Sequence, residues 1–197
     1  MTRPKQPEQV RRRLLDSAAR LVGEHGLPAL TIQAVAEAAG VTKGGLFHHF
    51  PSKRALLDAL LADLLDQFDA GIAAEMARDP EPRGRFTRAY VIANFADYGL
   101  GLSNPIMRQI VSLFDEPVLV EQWSGWLTRQ LQDHAATDGG PWFEMIRLAT
   151  DGAWLARLCQ IQGVAENPER LCCHLLALTR CPDPAPPERE IPPVAEV

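Results

Sequence analysis

Gly40, set between two short stretches of helical apolar spacing, constrains this chain more than any other feature. The segment TIQAVAEAAGVTKGGLFHHFPSKR over residues 31–54 reads as two short helices around a tight turn. Thr31 offers a hydroxyl that caps orphan backbone N–H groups, and Ile32, Val35, Ala36 and Ala39 recur on one inward face. Gly40 stops that helix, because glycine takes the left-handed angles a sharp stop requires. Val41 then turns inward and Thr42 caps a second, very short helix through Lys43, Gly44, Gly45, Leu46, Phe47, His48 and His49. Leu46 and Phe50 point to the core, which leaves the Lys and His side chains free for a partner.

A helix enters the DNA major groove only behind a slim leading face, and its N-terminus offers N–H groups to a phosphate. Gly44 and Gly45 provide that face, so the pair reads as a helix-turn-helix. Upstream, Val10, Leu14, Ala18, Leu21 and Val22 follow the helical period and predict a first helix that completes a three-helix DNA-binding head over residues 1–54. The whole chain carries a net charge of -5 with a pI near 5.5, which by itself argues against phosphate binding. The distribution reverses the argument. Residues 1–54 hold nine Lys and Arg against four Asp and Glu, a local balance of +5 on an otherwise acidic chain. Chance clustering is the alternative, as is a merely solvated Arg11–Arg13 run.

Ser52 predicts the cap of a long helix to about Ala77, whose Leu56, Leu57, Leu60, Leu61, Leu64, Leu65, Phe68 and Ile72 form a face too broad for the small head alone to cover. It must join the head to a second module over residues 55–180. Breaks at 79–84, 101–105 and 138–141 divide that module into helices expected over about 84–101, 105–114, 117–135, 142–163 and 168–180. No strand signal competes, so the fold class is all-α. Residues 181–197 are too Pro-rich for anything but a loose tail. No run approaches the roughly 18 apolar residues of a membrane span, and no secretory pattern follows Met1, so a cytoplasmic chain without membrane partners is expected. No nucleophile elbow, phosphate loop, zinc spacing or paired-carboxylate motif is present, so neither catalysis nor a metal or cofactor is expected. Cys159, Cys172 and Cys173, the last beside His174, leave a redox- or metal-responsive alternative, although helical cysteines commonly serve as small apolar residues.

With its short head, the GVTKGGLFHHFPSKRALLDAL run and a long helical body, the chain resembles the tetracycline-repressor (TetR) family of transcriptional regulators. The resemblance is specific over about residues 10–65. It implies a homodimer that binds a palindromic double-stranded DNA operator and releases it when a small-molecule effector enters the body. It also implies roles residue by residue. Thr42 would touch phosphate, Lys43 would read base or phosphate, and Gly44 and Gly45 would let the backbone approach the groove. His48 and His49 would touch bases or backbone, Lys53 would anchor a phosphate, and Gln33 would read a base edge. Phe47 stands where relatives usually have Tyr, so its phenol contact is lost. A helical interaction protein with weakened DNA affinity is the corresponding alternative.

In the body, the resemblance places a ligand cavity where Phe95, Tyr98, Met107, Trp123, Trp126 and Trp154 concentrate aromatic and soft apolar surface, with ordinary core packing as the alternative. Asp151 interrupts an apolar stretch in DGAWL, a run similar to one in choline-responsive relatives. It either suits a lipophilic or quaternary cation among tryptophans or pairs with Arg147 one turn away. The last two helices, from Met145 to Leu178, are apolar on more than one side and so need a second partner, which the same resemblance implies is the equivalent pair of a second subunit in a four-helix interface.

Overall fold

A computed structural model of the chain describes residues 6–96, 117–164 and 166–184. The helix expected over 105–114, the candidates Tyr98 and Met107, and most of the Pro-rich tail lie outside the described residues. Among those described, every regular element is helical: α1 (Gln6–His25), α2 (Ile32–Ala38), α3 (Lys43–His49), α4 (Lys53–Arg78), α5 (Arg85–Phe95), α6 (Pro117–Asp133), a single turn α7 (Ala135–Asp138), α8 (Pro141–Leu158) and α9 (Pro168–Leu178). No helix among them is long and apolar enough to cross a membrane.

Local chemistry sets the head. The Thr31 hydroxyl accepts from the Ala34 N–H at 3.1 Å and opens α2. Gly40 then takes φ +66°, and the Val41 N–H reaches back to the Ala36 carbonyl at 3.0 Å, a bond that only a left-handed residue at the stop allows. Thr42 and Ser52 open α3 and α4 in the same way, each accepting at 3.0 Å from the N–H three residues on. Leu14, Leu15, Val22, Val35, Leu46 and Phe50 fill one core with the first half of α4, from Leu56 to Leu64. That core runs past residue 54 and takes in Val118 of α6, with Leu119, Trp154 and Leu158 packed on it. Head and body therefore share apolar contacts.

The second half of α4 changes partners. Phe68 and Ile72 pack with Phe86, Tyr90 and Trp126, while Val91 of α5, Phe143 and Ile146 of α8 and Leu175 of α9 make a further cluster. Two stretches differ from expectation. Helix α8 ends at Leu158 rather than near residue 163, because Gln160 turns left-handed at φ 54° and the Ile161 N–H closes on the Ala156 carbonyl at 2.9 Å. The break at 138–141 conceals a buried cap: the Asp138 carboxylate accepts from the Thr87 N–H at 2.7 Å and from the Thr137 hydroxyl at 2.8 Å, holding the start of α5. Gly84, just before α5, has φ +73° and stands where a Cβ would sit 2.7 Å from the Phe143 ring.

Candidate functional site

Helix α3 presents Thr42, Lys43, Gly44, Phe47 and His48 to solvent, with Gly45 and His49 half-buried behind them. Leu46 is fully buried and fixes which side faces out. The Lys43 ammonium lies 5.9 Å from the Phe47 ring centre, and the His48 and His49 rings meet edge-on at 5.5 Å. The Thr42 oxygen is used by the cap, yet its O–H remains able to donate to a phosphate. A Cβ at Gly45 would approach that oxygen to 3.3 Å, whereas one at Gly44 would stand off at 4.0 Å. Lys53 is exposed on the first turn of α4, where the helix dipole favours an anion. Gln33 is exposed on α2, its amide donating to the Glu37 carboxylate, so it must leave that partner to read a base.

The basic run of α1 divides. The Arg11 guanidinium lies 5.3 Å over the Phe50 ring. Arg12 is committed to Asp16 and to Asp63 of α4, each at 2.5 Å, and the hydrogen bond it donates to Asp16, joined by that to Asp63, raises its pKa. It fastens α1 to α4.

A cavity of about 460 Å³ opens between α4, α5, α6 and α8. Trp123, Asp151 and Trp154 line it, together with Leu61, Leu64 and Leu65 of α4, Asn94, and Leu119 and Gln122 of α6. Two other candidates lie elsewhere. Trp126 is only 4% exposed in the core beside Phe68, its indole N–H bonded to the Asp69 carboxylate at 2.8 Å. Phe95 packs in the cluster of α5, α8 and α9 with the Arg157 guanidinium 5.2 Å over its ring. Helical spacing alone did not separate these from wall residues, since both kinds face inward.

Asp151 does not hydrogen-bond to Arg147. It accepts from the Tyr90 hydroxyl at 2.5 Å, while Arg147 donates to the Thr87 hydroxyl at 2.9 Å and to the Asp138 carbonyl at 3.1 Å. Burial raises the Asp151 pKa against the opposing Tyr90 bond and the Arg147 charge, and burial with the adjacent carboxylate lifts the Tyr90 phenol well above its usual value. Gln122 had no signal in the sequence. Its Nε2 donates to the Asp58 carbonyl of α4 at 3.1 Å, and its Oε1 is buried without a hydrogen-bond partner.

The cysteines are free thiols, and burial pushes the half-buried Cys172 up rather than toward the reactive thiolate. Among the described residues no group of three or more His, Cys, Asp or Glu side chains is placed to hold a metal ion.

Residues 14–60 match the family model for bacterial regulatory proteins of the tetR family, and residues 84–180 match the tetracyclin repressor-like C-terminal domain. The head is 48% identical over 56 residues to the HTH-type transcriptional repressor KstR2 of Rhodococcus jostii, covering 28% of each chain. A longer stretch of 107 residues is 34% identical to the HTH-type transcriptional regulator BetI of Burkholderia cenocepacia, covering 54% of each. The chain thus spans about half or less of the length of these curated relatives. In fold it is similar to the multidrug binding protein EbrR complexed with malachite green, at a TM-score of 0.63, 23% identity and coverage of 89% of this chain and 98% of that one. A TetR transcription regulator from Haloarcula marismortui gives a TM-score of 0.64 at 15% identity, covering 86% and 97%. With both family models matched along a helix-turn-helix head and a hollow helical body joined through α4, this chain is a member of the tetracycline-repressor family of bacterial regulatory proteins.

Proposed function

We propose that the chain is a transcriptional repressor that binds a palindromic operator as a homodimer and lets go when a small hydrophobic or cationic effector fills the body cavity. The observation that carries this reading is α3: a short helix capped by Thr42, with Lys43 and Gly44 on its outer face, Gly45 half-buried behind them, and its apolar side locked by Leu46 and Phe50. Thr42, Lys43, His48, His49, Lys53 and Gln33 take the DNA contacts, and Gly44 and Gly45 admit the backbone. Phe47 adds ring packing only. Two such helices about 34 Å apart enter successive major grooves, which requires a pair of chains.

An exposed apolar stripe in the body supports the pairing of chains. Met145, Leu148 and Leu155 on α8 are 51%, 62% and 48% exposed along one stripe, with Leu178 of α9 at 38%. Coupling has a physical route as well, because Leu119 and Trp154 line the cavity and also pack on the head's core. An effector that wedges them apart favours a conformation in which α4 and the head shift together.

The test is fluorescence anisotropy with a duplex selected from random DNA by the full chain. Replacing Lys43 and Lys53 together with Ala should weaken binding at moderate salt by about tenfold or more and flatten the salt dependence by roughly one phosphate contact per lysine. Failure of the full chain to prefer any duplex, with or without small molecules, overturns the reading.

A further inference from the structure

The polar groups on the cavity wall are not balanced between donors and acceptors. Asn94 spends its Nδ2 on the Tyr90 carbonyl, and Ser124 spends its hydroxyl on the Glu121 carbonyl. Gln122 donates one of its two Nε2 N–H groups to the Asp58 carbonyl, and its own carbonyl oxygen is buried with no donor to it. Among the described residues Asp151 receives one hydrogen bond, from Tyr90, and a carboxylate has room for several more. Among the described residues that line the cavity, none is basic. The wall therefore places one carboxylate, and one side-chain carbonyl oxygen without a donor, among leucines and the two indole rings of Trp123 and Trp154, with no cation beside them among the described residues.

Each class of occupant meets this wall differently. A carboxylate would bring like charge against Asp151 and a lone pair against Gln122. A neutral apolar molecule would fill the space and leave both acceptors unmet. A quaternary ammonium would answer the charge and the indole faces but has no N–H for Gln122. Of these classes, a protonated amine on an apolar body is the one that supplies both charge and donors.

We propose that the occupant is a lipophilic amine in its protonated form, held by the Asp151 carboxylate and the Gln122 side-chain carbonyl. This rests on the regulatory reading above and adds the chemical class of the effector. Tyr90 acts as a positioning residue: its hydroxyl holds one carboxylate oxygen and so orients the other toward the ammonium.

Calorimetric titration of the full chain, without DNA, with four compounds that share one apolar body separates the classes: 1-naphthylmethylamine, 1-naphthylmethanol, the corresponding trimethylammonium and 1-naphthylacetate. The amine is expected to bind about tenfold or more tighter than the alcohol, the trimethylammonium to fall between them, and the carboxylate to bind weakest. Asp151→Asn should bring the amine to about the affinity of the alcohol, and Gln122→Met should narrow the gap between amine and trimethylammonium. The comparison on the unaltered chain does not depend on either variant folding. Equal binding of amine and alcohol, or a preference for the carboxylate, overturns the assignment of class. No binding by any of the four overturns the cavity as the effector site, while the operator assay reports on DNA recognition independently.

Discussion

Thr42 serves the head twice, through an oxygen that closes the first turn of α3 and a proton that stays available to a phosphate. Thr42→Ala should therefore lower stability in urea unfolding by about 1 kcal/mol, with Ser largely restoring it, and should weaken operator binding beyond that loss. The neighbouring glycines differ. A methyl at Gly44 meets only an ordinary contact, so Gly44→Ala should gain up to about 1 kcal/mol of stability while losing operator affinity to the bulk placed on the reading face. The same change at Gly45 should gain less, because its Cβ crowds the Thr42 oxygen at 3.3 Å. Thr31, Gly40, Thr42 and Ser52 were legible in the sequence because a cap or a stop is decided within about four residues. The Tyr90–Asp151 bond, between residues 61 apart in sequence, had no such local sign, and Arg147, the alternative partner one helical turn from Asp151, bonds to Thr87 instead.

Among the elements, the turn between α4 and α5 shows most clearly what periodicity misses. Residues 79–84 read only as a break, yet Arg88, 2% exposed, ties the whole turn together. Its guanidinium donates to the Asp79 carboxylate, to the Arg83 carbonyl at 2.8 Å and to the Glu81 carbonyl at 2.6 Å. Burial of Asp79 works to raise its pKa, but the Arg88 hydrogen bond and the Glu81 N–H prevail and lower it. A depressed folded pKa means the stabilisation is full at neutral pH and fades as pH falls below the ordinary carboxylate value of about 3.9 and through the lowered one. Arg88→Met should cost on the order of 3 kcal/mol in urea unfolding at pH 7, and that difference from the unaltered chain should shrink in acid. No change in unfolding midpoint at pH 7 would show the clamp to be energetically idle. Helix α8 was read too long for a related reason: nothing in the periodicity marked Gln160 as the residue that turns left-handed.

For the molecule as a whole, the all-helical layout was legible because apolar spacing and glycine or proline breaks repeat along the chain. The division of aromatic residues between core and cavity was not. Trp123 and Trp126 lie one turn apart on α6 with ring centres 5.2 Å from each other, yet only Trp123 reaches the cavity wall. The exposed stripe on α8 carries the last prediction. Met145→Glu with Leu148→Glu should leave helical content unchanged by circular dichroism, convert the chain to a monomer in sedimentation velocity, and lower operator affinity at least about tenfold. A dimer that survives both charges would move the subunit interface elsewhere.

Gly152 sits on that stripe, exposed, with nothing within 4 Å of where a Cβ would stand, so another helix backbone can come close there. Gly152 and Leu155 also belong to the wall of the cavity. In the proposed dimer the same few residues would face a sister subunit on one side and a small guest on the other, so neither could settle without altering the ground offered to its rival or ally. The dose at which such a guest acts would then depend on how much of this protein the cell makes.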